Sequence, residues 1–223
     1  MMKTLMTLLA FLLMATAASG QDISGFGEAQ FSRTRAEYIQ RNMDRESLEH
    51  QITAAEEEQD LAFSDAARDA LTQDILSAEF DQLGRRDVAA QRVEAAVPSA
   101  LERYLKALGK VENNLGPRRL PTFASFLAEE LGQGALAIKR NEYAYLDIKV
   151  LPSHSKATTL IDGEPLKPLP PDKAQQPVRR VVTTPGQHLV VVEYVDHSPC
   201  ENEVSVPAWR LGGVSCSFLD STP

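Results

Sequence analysis

The chain has 223 residues, of which 43% are hydrophobic and 24% are charged, and its formal net charge is -8. This composition supports a buried core and excludes wholesale disorder, which combines low hydrophobicity with high net charge. At this length we expect one or two domains. The acidic balance disfavours nucleic acid as a partner, because it repels a phosphate backbone.

Residues 1–20 have the pattern of a secretory signal peptide. Lys3 gives a positively charged start, residues 5–17 are largely apolar, and small residues lead up to Gly20. These three features are typical of such signals, and the apolar run is shorter than the roughly 20 residues of a membrane span. An uncleaved membrane anchor is the alternative. We expect an exported chain, periplasmic or extracellular, with no membrane span after cleavage.

Residues 21–140 are predicted to form an α-helical region, because apolar residues recur there at intervals of three and four. Ser64 is a suitable N-cap and Gly84 a suitable end for one helix. The apolar face of that helix is Ala67, Leu71, Ile75, Leu76, Phe80 and Leu83.

Pro98 is expected to break or sharply kink the helical stretch that begins near residue 87. A proline inside a helix removes one backbone hydrogen bond and clashes with the preceding turn. Ser99 and Glu102 match a capping box directly after it. The sequence therefore predicts that a separate helix begins at Ser99.

Two other helical segments differ in polarity. Residues 35–59 have a thin apolar stripe, which fits either a solvated arm or half of a coiled-coil-like hairpin. A shorter, more apolar helix is predicted from Phe123 to Leu131, ending at Gly132.

Residues 141–223 are predicted to form a small antiparallel β-sandwich. Residues 143–150 alternate, with Leu146, Ile148 and Val150 on one face, which is the pattern of a half-buried strand. Further short strands are separated by turn signals. These strands are residues 157–161, 178–183, 188–195, 204–206 and 214–219. The predicted fold class is therefore α+β.

Cys200 and Cys216 are an even pair in a chain that we expect to meet oxidising conditions, where disulfides persist. A reactive thiol or a metal ligand is the alternative, but no Cys-x-x-Cys motif or paired histidines accompany them. The two positions share strand parity with Val204, Val206 and Val214. We therefore predict a disulfide within an antiparallel hairpin that pairs residues 200 and 216.

Residues 164–178 contain five prolines. Proline has no amide donor, so this stretch cannot form a central strand. It fits an extended surface loop of the β domain, or else a polyproline-like ligand for the aromatic groove of a partner.

The strand punctuation resembles that of the PEGA family of small β-sandwiches in exported and surface proteins. The resemblance lies in residues 151–152, the strand 157–160, the turn 161–163 with its Asp-Gly, the step 185–188 with its Pro-Gly-x-His, and the long strand 189–194. The eponymous Pro-Glu-Gly-Ala step is absent.

This PEGA-like resemblance covers residues 145–219 and none of the helical region. It implies a binding or structural module, and it transfers no catalytic, cofactor or metal residue. The predicted organisation is a signal peptide over 1–20, a helical region over 21–140 and a PEGA-like domain over 141–223.

Signatures of chemistry are weak in the sequence. His188 is expected to be structural, and His154 and His197 lie in predicted loops that a metal site would need to bring together. The acidic run at residues 56–60 fits a solvated surface better than a cation site. Trp209 fits packing at a strand end, or else an exposed anchor for a partner.

Two functions remain open from the sequence. The first is a non-catalytic envelope protein that binds or scaffolds an envelope protein or glycan, without a cofactor. The second is a hydrolase that acts on envelope glycan or peptidoglycan through an unrecognised carboxylate pair. A homo-oligomer formed through the helical region is a further expectation, because thin amphipathic helices often bury their stripes against copies of themselves.

Overall fold

The computed structural model describes residues 23–59, 61–85, 88–109, 122–134 and 141–219. The signal peptide predicted over residues 1–20 lies outside these described residues. No helix among them is long and apolar enough to cross a membrane.

The chain divides into two units, residues 1–42 and residues 43–223. In the first unit, helix α1 (Ile23–Asn42) is described. Arg33 and Glu37 form an exposed ion pair one turn apart, with 3.0 Å between Nε and Oε1. The side-chain amide of Asn42 donates to the Tyr38 carbonyl in the last turn.

The second unit contains, among its described residues, four α-helices, a short 3-10 helix (His154–Lys156) and eight strands. The helices are α2 (Glu46–Gln59), α3 (Asp65–Leu83), α4 (Ala90–Gly109) and α5 (Phe123–Glu130). The strands are β1 (Ala62–Phe63), β2 (Ala144–Leu151), β3 (Ala157–Ile161), β4 (Glu164–Pro165), β5 (Val178–Thr183), β6 (Gly186–Tyr194), β7 (Cys200–Val206) and β8 (Leu211–Ser217). The predicted α+β class is confirmed.

The strands form two four-stranded sheets. Sheet 1 has the order β1-β5-β2-β8, and sheet 2 has the order β4-β3-β6-β7. Sheet 2 is antiparallel, whereas sheet 1 is mixed, because β8 runs parallel to β2 and β1 runs parallel to β5. The mixed sheet arises because β1 comes from the helical region and β8 follows a crossing from sheet 2.

An aliphatic core lies between the two sheets. The alternation predicted for β2 is confirmed, since Leu146, Ile148 and Val150 are all fully buried in this core. Val181 of β5 and Val192 of β6 pack in the same cluster. The period of two along each strand thus places one side-chain face in the interior.

The turn between β3 and β4 is built by Asp162 and Gly163. Both have positive φ, 55° and 91° respectively. A two-residue hairpin loop with positive φ at both positions matches the right-handed twist of its strands, and Asp-Gly suits it. The predicted Asp-Gly turn is therefore confirmed.

The four helices of this unit pack against one another, and α2 and α3 also contact sheet 1. The α3 helix begins as predicted, with the Ser64 hydroxyl accepting from the Ala67 N–H at 3.3 Å, and it ends at the C-cap Gly84. On its predicted face Leu71 and Ile75 are fully buried, but Leu83 is 37% exposed. Helix α3 contacts both β1 and β5.

The predicted helix break at Pro98 is wrong, because α4 continues through this residue from Ala90 to Gly109. Pro98 and Glu94 both lie on the exposed side of α4, so water can solvate the carbonyl that loses its partner. The buried face continues across the proline without interruption, and its packing offsets the lost bond. That face is Val93, Val97, Ala100, Leu101, Tyr104, Leu105 and Leu108.

The single segment predicted over residues 35–59 is two helices, since α1 ends at Asn42 and α2 begins at Glu46. Leu48 and Ile52 of α2 are almost completely buried. The solvated-arm interpretation is therefore wrong for α2, whose thin stripe packs against α4.

The Cys200–Cys216 disulfide is confirmed, but the predicted hairpin is wrong. Cys200 of β7 pairs with Val192 in sheet 2, and Cys216 of β8 pairs with Val150 in sheet 1. The bond therefore joins the edge strands of two different sheets, with 6.0 Å between the Cα atoms. Both cysteines do lie on the core side of their strands, as their shared parity predicted. Residues that face inward from two opposed sheets share this parity in the same way as residues paired in a hairpin.

Candidate functional site

A cleft of about 420 Å³ lies where the helices meet the exposed end of sheet 1. One side is formed by α2, by residues 61–63 and by the ends of α3 and α4. The other side is formed by residues 167–176, which belong to the proline-rich stretch. The floor is formed by β2 and by the first residues of β5. A cleft of this volume is in the range of small-molecule sites.

The proline-rich stretch is a surface loop, as one of its two interpretations predicted, and it is anchored rather than extended. Leu166 and Ala174 are both buried at 8% exposure. Two backbone bonds to the Pro170 carbonyl, from Lys173 at 3.0 Å and from Ala174 at 2.8 Å, close a turn. This turn holds Lys173 at the cleft.

Glu56 lies on the α2 side of the cleft and is buried, with 5% of its surface exposed. Arg68 donates to both of its carboxylate oxygens, one of them at 2.6 Å. Burial raises the pKa of Glu56 above its ordinary value, because the lost hydration outweighs the opposing effects of Arg68 and Lys167. The predicted solvated surface is thus wrong at Glu56.

The sequence contained a signal for this burial. Leu48, Ile52 and Glu56 follow one another at intervals of four, so they share one face of α2. Two buried apolar residues on that face indicate that the third position is buried as well. The composition of residues 56–60 does not indicate this burial, because Glu56 is the first residue of an acidic run.

Lys167 links the two sides of the cleft. Its ammonium group donates to the Thr53 hydroxyl at 2.8 Å and lies 3.9 Å from the Glu56 carboxylate. The Lys167 side chain is 56% exposed. The Lys167 carbonyl in turn accepts from the Arg179 guanidinium at 2.7 Å, which ties the loop to β5.

Asp147 and Arg180 form a cross-strand pair on the cleft floor. Arg180 donates through Nε and a terminal nitrogen to the two Asp147 oxygens, at 2.8 and 3.0 Å. The hydrogen bonds to Asp147 raise the pKa of Arg180, which therefore stays charged. Such a bidentate pair fixes the orientation of both side chains.

The described part of the cleft is more basic than the protein around it. Five cationic side chains line it, namely Arg68, Lys167, Lys173, Arg179 and Arg180. Three carboxylates oppose them, from Glu56, Glu57 and Asp147. In a chain of net charge -8, a positively charged cleft attracts anionic groups selectively.

The histidines singled out in the sequence have separate structural partners. His154 is buried, and its Nε2 lies 3.2 Å from the Ile148 carbonyl; burial lowers its pKa. His197 packs edge-on against Tyr194 and Phe218. Among the described residues, no three His, Cys, Asp or Glu side chains are grouped to hold a metal ion.

His188 joins the two motifs that carry the family resemblance. Its Nδ1 lies 2.7 Å from the Asp162 carboxylate in the Asp-Gly turn, and its Nε2 lies 2.7 Å from the Thr184 carbonyl. The other Asp162 oxygen accepts from the Leu189 N–H at 2.9 Å. His188 thus fixes the turn to β6, as its structural interpretation predicted.

The side chains of Thr183, His188 and Asp162 are arranged in the order of a nucleophile–histidine–acid relay. Thr183 is completely buried, however, and its hydroxyl lies 3.4 Å from His188 Nε2, farther than the Thr184 carbonyl. It also accepts from Ser64 at 3.0 Å. A substrate cannot reach this hydroxyl, so the arrangement is structural.

Trp209 packs inside the protein at 3% exposure, edge-on to Tyr143 with 5.8 Å between the ring centroids. It lies between β7 and β8, which confirms its predicted packing at a strand end. The alternative of an exposed Trp209 anchor is wrong.

Comparison of the chain with family models and with the curated proteins finds no match. The fold and the cleft therefore carry the functional argument by themselves.

Proposed function

We propose that this chain is an exported, non-catalytic module that binds an envelope protein or glycan in the cleft between α2 and the proline-rich loop. The observation that carries the proposal is the cleft itself, with about 420 Å³ of space and a cationic lining in an acidic protein. Concave sites with a few converging charged groups are where proteins usually bind their ligands.

The disulfide between Cys200 and Cys216 supports the proposed export, because such bonds persist in oxidising compartments. Fractionation of cells that produce the chain tests this. We expect the protein in the periplasm or the medium, with an N-terminus near residue 21. Recovery in the cytoplasm with an intact N-terminus would contradict the proposed export.

We also propose that residues 145–219 are a PEGA-like domain. The contact between His188 and Asp162 supports it, since one residue belongs to the Pro-Gly-x-His step and the other to the Asp-Gly turn. A solved PEGA structure that lacks this contact, or that orders its strands differently, would argue against the assignment.

Filling the cleft tests the binding function. Val178 lines the cleft and is 43% exposed, so Val178→Trp occupies the site without disturbing a buried residue. The matched control is Val195→Trp, because Val195 is 57% exposed and lies after β6, outside the cleft lining. The chain and both variants are used as bait for cross-linking capture from envelope extract. We expect the ligand that the wild type retains to be absent with Val178→Trp and present with Val195→Trp.

The hydrolase alternative has one supporting observation, which is that Glu56 and Asp147 both line the cleft. Each of these carboxylates has both oxygens bonded to an arginine, however, and neither is therefore placed as a proton donor or nucleophile. Turnover of peptidoglycan or envelope glycan that Glu56→Gln abolishes would favour the hydrolase over the binding module.

A further inference from the structure

The outer face of sheet 2 carries an apolar patch. Along β6, Val190 and Val192 point into the core, so Leu189 and Val191 point outward. Val191 lies opposite Leu160 of β3 on this outer face. Leu189 is 40% exposed, and Leu160 and Val191 are half-buried. Three aliphatic side chains therefore form one patch across β3 and β6.

Glutamate side chains border this patch along the edge strand β7. Glu203 lies opposite Leu189, and Glu201 lies opposite Val191. Both glutamates are exposed, as is Glu193 two residues beyond Val191 on β6. Directly opposite residues on one face of a sheet have Cβ atoms about 5 Å apart. One element of a partner can therefore contact the apolar side chains and the carboxylates together.

The outer face of sheet 1 shows what covers a sheet in this protein. Tyr145 points outward from β2, is 3% exposed and donates from its hydroxyl to the Leu108 carbonyl of α4. Helices α2 and α3 also contact strands of this sheet. The outward-facing Leu189 of sheet 2 keeps far more of its surface exposed. A helix is thus the kind of element that suits the exposed face.

The dimensions of the face also suit a helix. Neighbouring strands lie about 4.8 Å apart, so β3, β6 and β7 together span about 10 Å, close to the diameter of a helix with its side chains. Glu201 and Glu203 are two residues apart on one strand, which separates them by about 7 Å. Basic side chains one turn apart on a helix are about 5.4 Å apart along its axis and can reach both carboxylates.

The charges at this face select a basic partner. In a chain of net charge -8, Glu193, Glu201 and Glu203 give the patch an acidic border. An anionic lipid surface, a nucleic acid or the same face of a second copy would be repelled. An amphipathic helix with Lys or Arg beside its apolar stripe complements both the patch and its border.

We propose that the outer face of sheet 2 docks a basic amphipathic helix of a partner protein. The apolar stripe of that helix covers Leu160, Leu189 and Val191. Its Lys or Arg side chains pair with Glu201 and Glu203. None of these five residues belongs to the described lining of the cleft. The docking surface is therefore separate from the cleft and goes beyond the proposed function.

The test uses the full chain with its disulfide intact and a fluorescent peptide of about 18 residues, in which leucines at helical spacing form one face and lysines the other. Two comparison peptides accompany it. One has the same composition in an order that removes the leucine stripe, and the other has glutamate in place of lysine. Fluorescence anisotropy at low and at physiological salt measures the affinities.

We expect the basic amphipathic peptide to bind, more weakly at physiological salt, and both comparison peptides to bind at least about tenfold more weakly. The double change Glu201→Lys and Glu203→Lys should weaken the basic peptide at least about tenfold and strengthen the glutamate peptide. The control, Asp69→Lys with Glu102→Lys, makes the same change in net charge at exposed positions of α3 and α4. It should change neither affinity.

The apolar patch is tested by Leu189→Gln, which removes an exposed apolar side chain without changing the charge. We expect this variant to bind the basic peptide about fivefold more weakly. The control is Leu83→Gln, because Leu83 is 37% exposed at the end of α3, and it should bind like the wild type. Unfolding midpoints verify that each variant is folded.

Equal weakening by the two double variants would show attraction by net charge alone and would overturn the docking surface. Equally tight binding of the reordered peptide would overturn the helix, and absence of binding to the wild type would overturn the whole inference. Loss of binding in Val178→Trp would place the peptide in the cleft instead. Sedimentation of the chain alone supplies the last check, since a dimer that Leu189→Gln dissociates would assign the patch to a second copy.

Discussion

The sandwich and the helical layer of the second unit bury different kinds of groups. Between the sheets the core is aliphatic, and a disulfide joins the two edge strands. Among the helices, Glu56 and Glu79 are buried carboxylates held by Arg68 and Arg45 respectively. The sandwich is therefore sensitive to packing and redox changes, whereas the helical layer is also sensitive to charge and pH.

The two regions meet on the outer face of sheet 1, and there the cleft begins. Tyr145 and Val182 lie under the helices and are buried, and the Tyr145 hydroxyl donates to the Leu108 carbonyl at 3.3 Å. Two residues further along β2 the same face carries Asp147, paired with Arg180 in the cleft. The site thus lies where helical cover of the sheet ends.

The largest effect is expected from removing the disulfide, which tests the sandwich. The double change Cys200→Ser and Cys216→Ser should lower the free energy of unfolding by about 3 kcal/mol, because the bond closes a loop of 16 residues. Urea unfolding with and without dithiothreitol measures this. Dithiothreitol should destabilise the wild type and leave the double variant unchanged; equal stability of all forms would show that the bond contributes nothing.

Packing between the sheets is tested at Gly212. A Cβ atom there would lie 2.7 Å from the Val206 Cγ2 and 3.2 Å from the Leu146 Cδ2, and both of these side chains are buried in the core. Gly212→Ala should therefore cost about 2 kcal/mol in thermal or urea unfolding. At the neighbouring control Gly213→Ala the nearest atom is the Asp147 carbonyl oxygen at 3.9 Å. A similar loss in both variants would contradict the close approach.

A smaller effect is expected where the helical layer is tied to β2. Asp74 accepts from the Asn141 N–H at 3.2 Å and from the Tyr143 hydroxyl at 3.0 Å. Asp74→Ala should lower the free energy of unfolding by about 1.5 kcal/mol, because it leaves the half-buried Asn141 N–H and the hydroxyl of the buried Tyr143 without the carboxylate. Asp69→Ala, at an exposed position of α3, is the control, and an equal loss there would refute the tie.

The smallest effect depends on pH and concerns Glu56. Its pKa is raised in the folded protein, so its contribution to stability is present below the ordinary carboxyl pKa of about 4.5 and is lost as pH rises through the raised value. The stability of the wild type relative to Glu56→Gln should therefore fall as pH increases above about 4.5. Urea unfolding at several pH values checks this, with Glu58→Gln at an exposed position as the control. A stability difference between the wild type and Glu56→Gln that rises with pH would contradict it.

Local signals in the sequence predicted local structure. The Ser64 cap, the Asp162-Gly163 turn and the alternation of β2 each depend on a few neighbouring residues, and the structure has all three. Capping bonds, φ preferences and strand periodicity operate within this range.

Features decided by distant packing were missed. Pro98 was expected to end a helix, yet the buried face of α4 holds both sides of it together. The parity of Cys200 and Cys216 identified their side of the strand but not which strand lay opposite. The cleft is lined by four separate stretches of the chain, namely residues 53–68, Gly109, Asp147 and residues 167–180. Of these features, the burial of Glu56 is the one that helical spacing indicated.

The bond between Ser64 and Thr183 has a consequence for the order of assembly. It joins residues 119 apart, beside the pairing of β1 with β5. Helix α3 can form early from local contacts, but Ser64 and the adjoining strand β1 gain these partners only when β5 is in place. Until then this edge of the helical layer and the cleft beside it remain unfinished.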